Sequence, residues 1–359
     1  MLREMAQRYR VIWVINSVCA SRCSYCSIEL QRHLETLTAT EVARVAREIL
    51  AAGFREVIFV GGEPLLLPHL AAALDVLRGS LSVALFTGGI PGDLRRSLDL
   101  VGMGVDRLVL SIDAGDDETN DRLRGRRGTT RDIVRLIEGV RREHPRVGLS
   151  VNTVVTRFNV AALDGVWERI RPWGVQSWSL TLAGDNFGGS PAGHFLERAQ
   201  IEQLYLRAAP ALAARLARDR CELVVLPVPL PFLEAELAPH RWGAEANRWR
   251  ARLDGEFDRY ARGYYNESFV ERHGCPLVGV DVTIGVGGEV HPCSQAPIIQ
   301  PAYVVGRLRS ARLADVLDGA EIGAFGAGVP HEICRRCWAP SNIERPVLRS
   351  LLRAGSRPS

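Results

Sequence analysis

Short apolar runs alternate with longer amphipathic segments through the first half of the chain. Residues 11–18 are almost entirely apolar up to Cys19 and predict a buried strand. Residues 40–52 predict a helix, with Thr40 as its cap, Val42, Val45, Ile49 and Leu50 as its apolar stripe and Gly53 as its stop. Further strands are predicted over 56–60, 82–86, 107–112, 147–155 and 177–182, with helices over 70–78, 93–100, 129–143 and 160–171 between them. Six strands alternating with helices place the chain in the α/β class. Right-handed βαβ units then build a parallel sheet, read here as a partial (β/α)6 TIM-like barrel, although a doubly wound open sheet has the same alternation. In such sheets the loops after the strands converge on one face and carry the chemistry.

Beyond about residue 192 the pattern changes. Residues 199–218 are helical in pattern with Pro210 inside, 221–229 form a short apolar run with two prolines, and 240–265 are rich in arginine and aromatics. From residue 274 the chain becomes rich in glycine and proline, with a hairpin predicted over 283–290 around Gly285, Gly287 and Gly288. This divides the chain into a core at 1–190, a helical bridging region at 191–265, a small hairpin-and-helix domain at 266–345 and a tail at 346–359.

Hydrophobic residues make up 47% of the 359 and charged residues 24%, enough apolar material for a sizeable core. With 45 basic and 41 acidic residues the net charge is +4, which implies no dominant nucleic-acid surface. Every basic side chain apart from histidine is arginine, which excludes Schiff-base lysine chemistry, a pyridoxal-phosphate lysine and a P-loop lysine. The charged segment 1–10 lacks a signal peptide's apolar stretch, and no membrane-length apolar run follows. A cytoplasmic location with no membrane partner is therefore expected. In a reducing compartment, eight cysteines point to metal or redox work rather than bridges.

Cys19, Cys23 and Cys26 form Cys-x3-Cys-x2-Cys directly after the first strand. Three thiolates there can hold three corners of a four-iron cluster and leave one iron open. Zinc is the alternative and needs a fourth ligand, for which His33 is nearest. Gly61-Gly62-Glu63-Pro64 follows the second strand: the glycines let a ligand approach the backbone and the glutamate can pair with an ammonium group, or the segment is a plain turn. Cys275 and Cys293 flank the predicted hairpin, and Cys334 and Cys337 form a Cys-x2-Cys beyond it, four thiolates suited to a second cluster or to zinc. Cys221 stands apart, as an inert buried thiol, a hydrogen-atom donor in catalysis or an auxiliary-cluster ligand.

Together the cysteine loop after strand one and the glycine–glutamate turn after strand two resemble the radical S-adenosylmethionine (SAM) superfamily, over roughly residues 11–183. The resemblance implies a [4Fe-4S] cluster on Cys19, Cys23 and Cys26, with SAM bound to it and reductively cleaved to a 5′-deoxyadenosyl radical that abstracts hydrogen from substrate. It implies an external electron donor, such as flavodoxin or ferredoxin. It also places Tyr25 near the adenine, Glu63 near the SAM amino group, Ser111 and Asp113 of Ser-Ile-Asp near SAM, Asn152 near the ribose or carboxylate, and Leu182 against the adenine. Residues 120–125 resemble a His-Asp-x-x-Arg-Gly stretch with Asn120 in place of histidine, and Thr87-Gly88-Gly89 stands where relatives show Thr-Asn-Gly. Arg124 and Arg126 are candidates to grip a substrate carboxylate or phosphate, or belong with Arg127 to a solvated arginine run. The second cysteine set resembles SPASM domains and their shorter twitch form, and implies one fully ligated auxiliary [4Fe-4S] cluster.

A core that starts near Val11 leaves no room for an N-terminal peptide-recognition domain. A small carbohydrate-like substrate, such as a sugar, aminocyclitol or nucleoside, is therefore expected, with dehydrogenation, epimerisation or decarboxylation as the outcome. A peptide-modifying maturase is the alternative enzyme, and a zinc-stabilised binding module the non-enzymatic one.

Overall fold

The computed structural model describes residues 8–26, 28, 36–89, 93–184, 192–237, 246–275, 277–294 and 303–337. Its centre is one ten-stranded sheet. In chain order the strands are β1 (Arg10–Asn16), β2 (Glu56–Gly61), β3 (Ser82–Thr87), β4 (Arg107–Ser111), β5 (Gly148–Val155), β6 (Ser177–Leu182), β7 (Glu222–Leu226), β8 (Asp281–Ile284), β9 (Glu289–His291) and β10 (Gly306–Arg307). They lie side by side as β10-β9-β8-β1-β2-β3-β4-β5-β6-β7. β1 to β7 are parallel and follow one another in sequence. A doubly wound sheet reverses its order at a switch point; the unbroken succession here is that of an open partial barrel.

Apolar side chains from the strands and the crossover helices fill one continuous core, with Trp13, Phe59, Leu85, Leu108 and Trp178 fully buried. The predicted helix over 129–143 is found as Thr129–Glu143, and the others lie within a few residues of their predicted places. The first helix, Ala39–Ala51, is capped by Thr38 rather than Thr40: the Thr38 hydroxyl accepts from the Glu41 N–H and the Glu41 carboxylate accepts in return from the Thr38 N–H at 2.8 Å. The Thr-x-x-Glu spacing of a capping box carries that signal.

Three elements depart from expectation. The run after Cys221 is a seventh parallel strand, paired with β6 and ended at Leu226 by the proline that follows. A helix, Asp117–Leu123, precedes Arg124; only Asn120 and Leu123 of it are buried, so it shows no apolar stripe, and its signal is the Asp116 cap with acids in the first turn. The C-terminal hairpin joins the main sheet instead of standing apart. β8 runs parallel to β1, Arg10 opposite Asp281, and β9 turns back antiparallel upon it.

Candidate functional site

The loops after β1 to β4 enclose a cavity of about 510 Å³. Cys19, Cys23 and Cys26 open onto it, Cys19 and Cys23 half-buried and Cys26 exposed. Gly61 and Gly62 at the end of β2, Thr87 and Gly88 at the end of β3, and Ser111 at the end of β4 complete its strand side. The cysteine loop is tightened by the Cys26 N–H donating to the Cys23 carbonyl at 3.0 Å. It is tied outward by the Ser24 N–H donating to the Leu123 carbonyl at 3.1 Å.

The two glycines serve the chain before any ligand. A Cβ on Gly61 would lie 2.3 Å from the Asn16 carbonyl oxygen, and one on Gly62 would lie 2.2 Å from that of Val18. The expected close approach is thus made by the backbone of the cysteine loop itself, which β2 holds in place. Asn16 completes the clasp: its side-chain amide donates to the Glu63 carbonyl at 2.9 Å, and the Gly62 N–H donates to its backbone carbonyl.

Glu63 is buried but does not line the cavity. Its carboxylate accepts from the Thr87 hydroxyl at 2.9 Å, the Gly88 N–H at 2.8 Å and the Leu65 N–H at 3.2 Å, latching the ends of β2 and β3 together. Burial pushes its carboxyl up to about 7 against those donors. Pro64 starts the short 3₁₀ turn behind it.

Tyr25 and Arg124 form the opposite wall. The Arg124 guanidinium donates to the Tyr25 hydroxyl at 2.7 Å, and that hydroxyl donates to the fully buried Asp113 carboxylate. Asp113 also accepts from the Val154 N–H of β5 at 2.8 Å, while its own N–H donates to the Asn120 side-chain oxygen at 2.8 Å. Asn120 therefore braces the loop after β4 from the helix Asp117–Leu123, through its amide group. Burial pushes the Cys23 thiol up to about 12, and the Arg124 charge works against that. Gly125 (φ +61°) passes so close to the cysteine loop that a Cβ would lie 2.0 Å from the Arg22 carbonyl oxygen.

The other expected residues are placed differently. Arg126 is ion-paired with Asp132 at 2.6 Å and does not line the cavity. Asn152 sits beside Ser111 in register and accepts from the Thr181 hydroxyl at 2.9 Å. Leu182 lies in the main core, 1% exposed. Cys221 precedes β7 at the N-terminal edge of the sheet, buried in the main core, whereas the cavity lies at the C-terminal ends. The fold does not bring this thiol to the cavity, and its surroundings are those of an inert core cysteine. A trio of rings went unseen in the sequence: His194 meets Tyr25 edge-on at 6.5 Å and Phe158 at 5.4 Å, brought together from loops with no shared motif.

The second cysteine set converges. Cys293, Cys334 and Cys337 are buried in one apolar cluster, with Cys275 packed against it. Cys334 lies on the helix Glu332–Arg336 and Cys337 caps its end. Burial drives the Cys275 thiol upward, reinforced by Cys293.

Among the described residues, no three His, Cys, Asp or Glu side chains gather closely enough to hold one metal ion, and His33 lies outside the described residues. Three thiols opening onto one cavity are the donor set of a four-iron cluster with one iron left free. Two buried polar atoms at that cavity, Ser21 Oγ and Arg124 Nε, have no hydrogen-bond partner, as expected where a polar ligand belongs. Among the described residues no helix is long and apolar enough to cross a membrane.

Comparison with known proteins agrees with this geometry. The profile of the radical SAM superfamily matches residues 13–163, and that of the SPASM iron–sulfur cluster-binding domain matches residues 275–338. The probable GTP 3′,8-cyclase of Methanopyrus kandleri is 31% identical over 158 residues, 42% of this chain and 49% of that protein. The GTP 3′,8-cyclase of a Picosynechococcus species is 33% identical over 158 residues, 41% and 46% of the two chains. The chain thus spans about half the length of these curated relatives. Streptococcus suis SuiB has the same fold at 15% identity, with a TM-score of 0.64 over 94% of this chain and 72% of that one. So does anSMEcpe with bound AdoMet, at 15% identity and a TM-score of 0.63 over 92% and 86%. A radical SAM domain and a C-terminal SPASM domain are thus both found in the chain.

Proposed function

We propose that this chain is a radical SAM enzyme that removes a hydrogen atom from a small carbohydrate-like substrate: a sugar, an aminocyclitol or a nucleoside. The observation that carries the reading is the cavity of about 510 Å³ onto which Cys19, Cys23 and Cys26 open, a volume within the range of small-molecule sites. The superfamily domain implies a four-iron cluster used with SAM, and the SPASM domain an auxiliary iron–sulfur cluster. Cys19, Cys23 and Cys26 would hold the first, and Cys275, Cys293, Cys334 and Cys337 the second. When bound, the first cluster and SAM supply one-electron chemistry and a hydrogen-abstracting radical.

The chain's own residues prepare that site. Arg124 keeps a buried positive charge beside Cys23, favouring the thiolate that binds iron. Held by Arg124 and Asp113, Tyr25 forms a fixed wall, while Glu63 fixes Thr87 and Gly88 at the rim. Arg124 is the better placed of the two arginines to meet an anionic group, since Arg126 is engaged by Asp132.

The name of the GTP 3′,8-cyclases supports a substrate bearing a sugar. The peptide-modifying alternative shares its fold with SuiB bound to precursor peptide SuiA, and a fold alone does not choose a substrate. Electrons would come from an external protein donor such as flavodoxin or ferredoxin. The test is anaerobic iron and sulfide analysis with 5′-deoxyadenosine detection, on wild type and on the Cys19→Ala, Cys23→Ala, Cys26→Ala triple variant. About eight iron per chain falling to about four, with 5′-deoxyadenosine lost, is expected. Iron-free, zinc-loaded protein would overturn the reading.

A further inference from the structure

Asn266 stands between the catalytic sheet and the second cysteine set. It is 6% exposed. Its backbone N–H donates to the Arg335 carbonyl at 2.9 Å, and its side-chain amide donates to Cys337 Sγ at 3.2 Å. Both contacts fall on the short segment 335–337, so the amide is held at the sulfur from two sides. The preceding residue fixes the other end: the Tyr265 hydroxyl donates to the Ala183 carbonyl at 2.6 Å, just beyond β6. Cys337 belongs to one buried apolar cluster with Leu230, Leu233, Phe269 and Val270, a setting in which a single N–H···S bond counts for more than it does in water.

Hydrogen bonds to a ligating sulfur withdraw charge from it, which stabilises the reduced cluster and raises its potential. From this geometry we infer that Asn266 is a positioning residue that raises the reduction potential of the auxiliary cluster through its bond to Cys337. The inference rests on the proposed reading of Cys337 as a ligand of that cluster. The bond falls on Cys337, a member of the second cysteine set, so the effect is confined to the cluster of that set.

The experiment is a redox titration of the reconstituted full chain followed by electron paramagnetic resonance, on wild type, Asn266→Ala and the nearly isosteric Asn266→Asp. For Asn266→Ala the auxiliary midpoint should fall by about tenfold in the reduced-to-oxidised ratio, ~59 mV for one electron. Asn266→Asp, which puts a negative carboxylate where the donor was, should lower it further. The midpoint of the cluster on Cys19, Cys23 and Cys26 should stay where it is in both. Full iron content with an unmoved auxiliary midpoint in both variants overturns the inference. Loss of auxiliary iron in both variants also overturns it, by reducing Asn266 to a structural brace. About four iron in the wild type itself would instead remove the auxiliary cluster, and with it the reading beneath the inference.

Discussion

Arg10 and Asp281 face each other in register across β1 and β8, joined by paired contacts of 3.1 Å (Nε to Oδ1) and 2.6 Å (Nη2 to Oδ2). The Asp281 carboxylate is fully buried and the guanidinium 9% exposed. This fork-to-fork pair fastens the strand that begins the C-terminal hairpin to the strand that ends in the cysteine loop. Asp281→Ala should leave a buried cation unmatched and cost about 3–5 kcal/mol, while Arg10→Met with Asp281→Leu should recover most of that. Urea unfolding of the iron-free chain decides it. A single-variant cost under about 1 kcal/mol would mean that the pair is no clasp.

Gly125 offers a cleaner break. Gly125→Ala meets the Arg22 carbonyl at 2.0 Å in a left-handed backbone conformation, so the cysteine loop must shift. Iron should fall from about eight to about four per chain, with the C-terminal cluster retained. Gly53→Ala is the control: its φ is +79°, yet nothing lies within 4 Å of the added carbon. It should lose about 1 kcal/mol of stability and no iron.

The Glu63 carboxyl, raised to about 7 in the fold from an ordinary 4.5, binds a proton more readily folded than unfolded. Its stabilising contribution is complete below about pH 4.5 and is lost as the pH rises through 7. Glu63→Gln removes that dependence at the cost of one mismatched donor. The melting temperature of the variant relative to wild type, both iron-free, should therefore improve from pH 5 to about pH 7 and level off above it. A difference that does not change with pH would refute this.

Cys221→Ala should keep the iron content and the 5′-deoxyadenosine yield of wild type and lose about 1 kcal/mol of stability. Its thiol packs in the core at the end of the sheet away from the cavity. A variant that still cleaves SAM but forms no product would return the thiol to the chemistry.

Local signals carried most of the sheet. Strands such as β2 and β5 announce themselves by apolar runs, and the cysteine loop is a motif because its ligands are neighbours in sequence. Where contacts are distant, the sequence was mute. Nothing in the Asp281 neighbourhood names Arg10 as its partner, and nothing about Arg124 shows that it would meet Tyr25. The glycines of the Gly61-Gly62 turn were legible as a place of close approach but not as to what approaches, because that depends on how the preceding loop folds back. Leu182 and Cys221 are apolar-run residues whose facing only the sheet register decides.

The place of β8 beside β1 has a consequence for synthesis. One edge of β1 is covered by β2 early, but the other waits for a strand whose Asp281 comes 271 residues after Arg10. Until that strand leaves the ribosome, the N-terminal strand shows an unpaired hydrogen-bonding edge to its surroundings. A chain built this way closes its sheet late, and a slow, long-range closure of that kind exposes the newborn protein to aggregation. Expression conditions that slow growth or supply a holding chaperone should therefore improve the soluble yield of this chain.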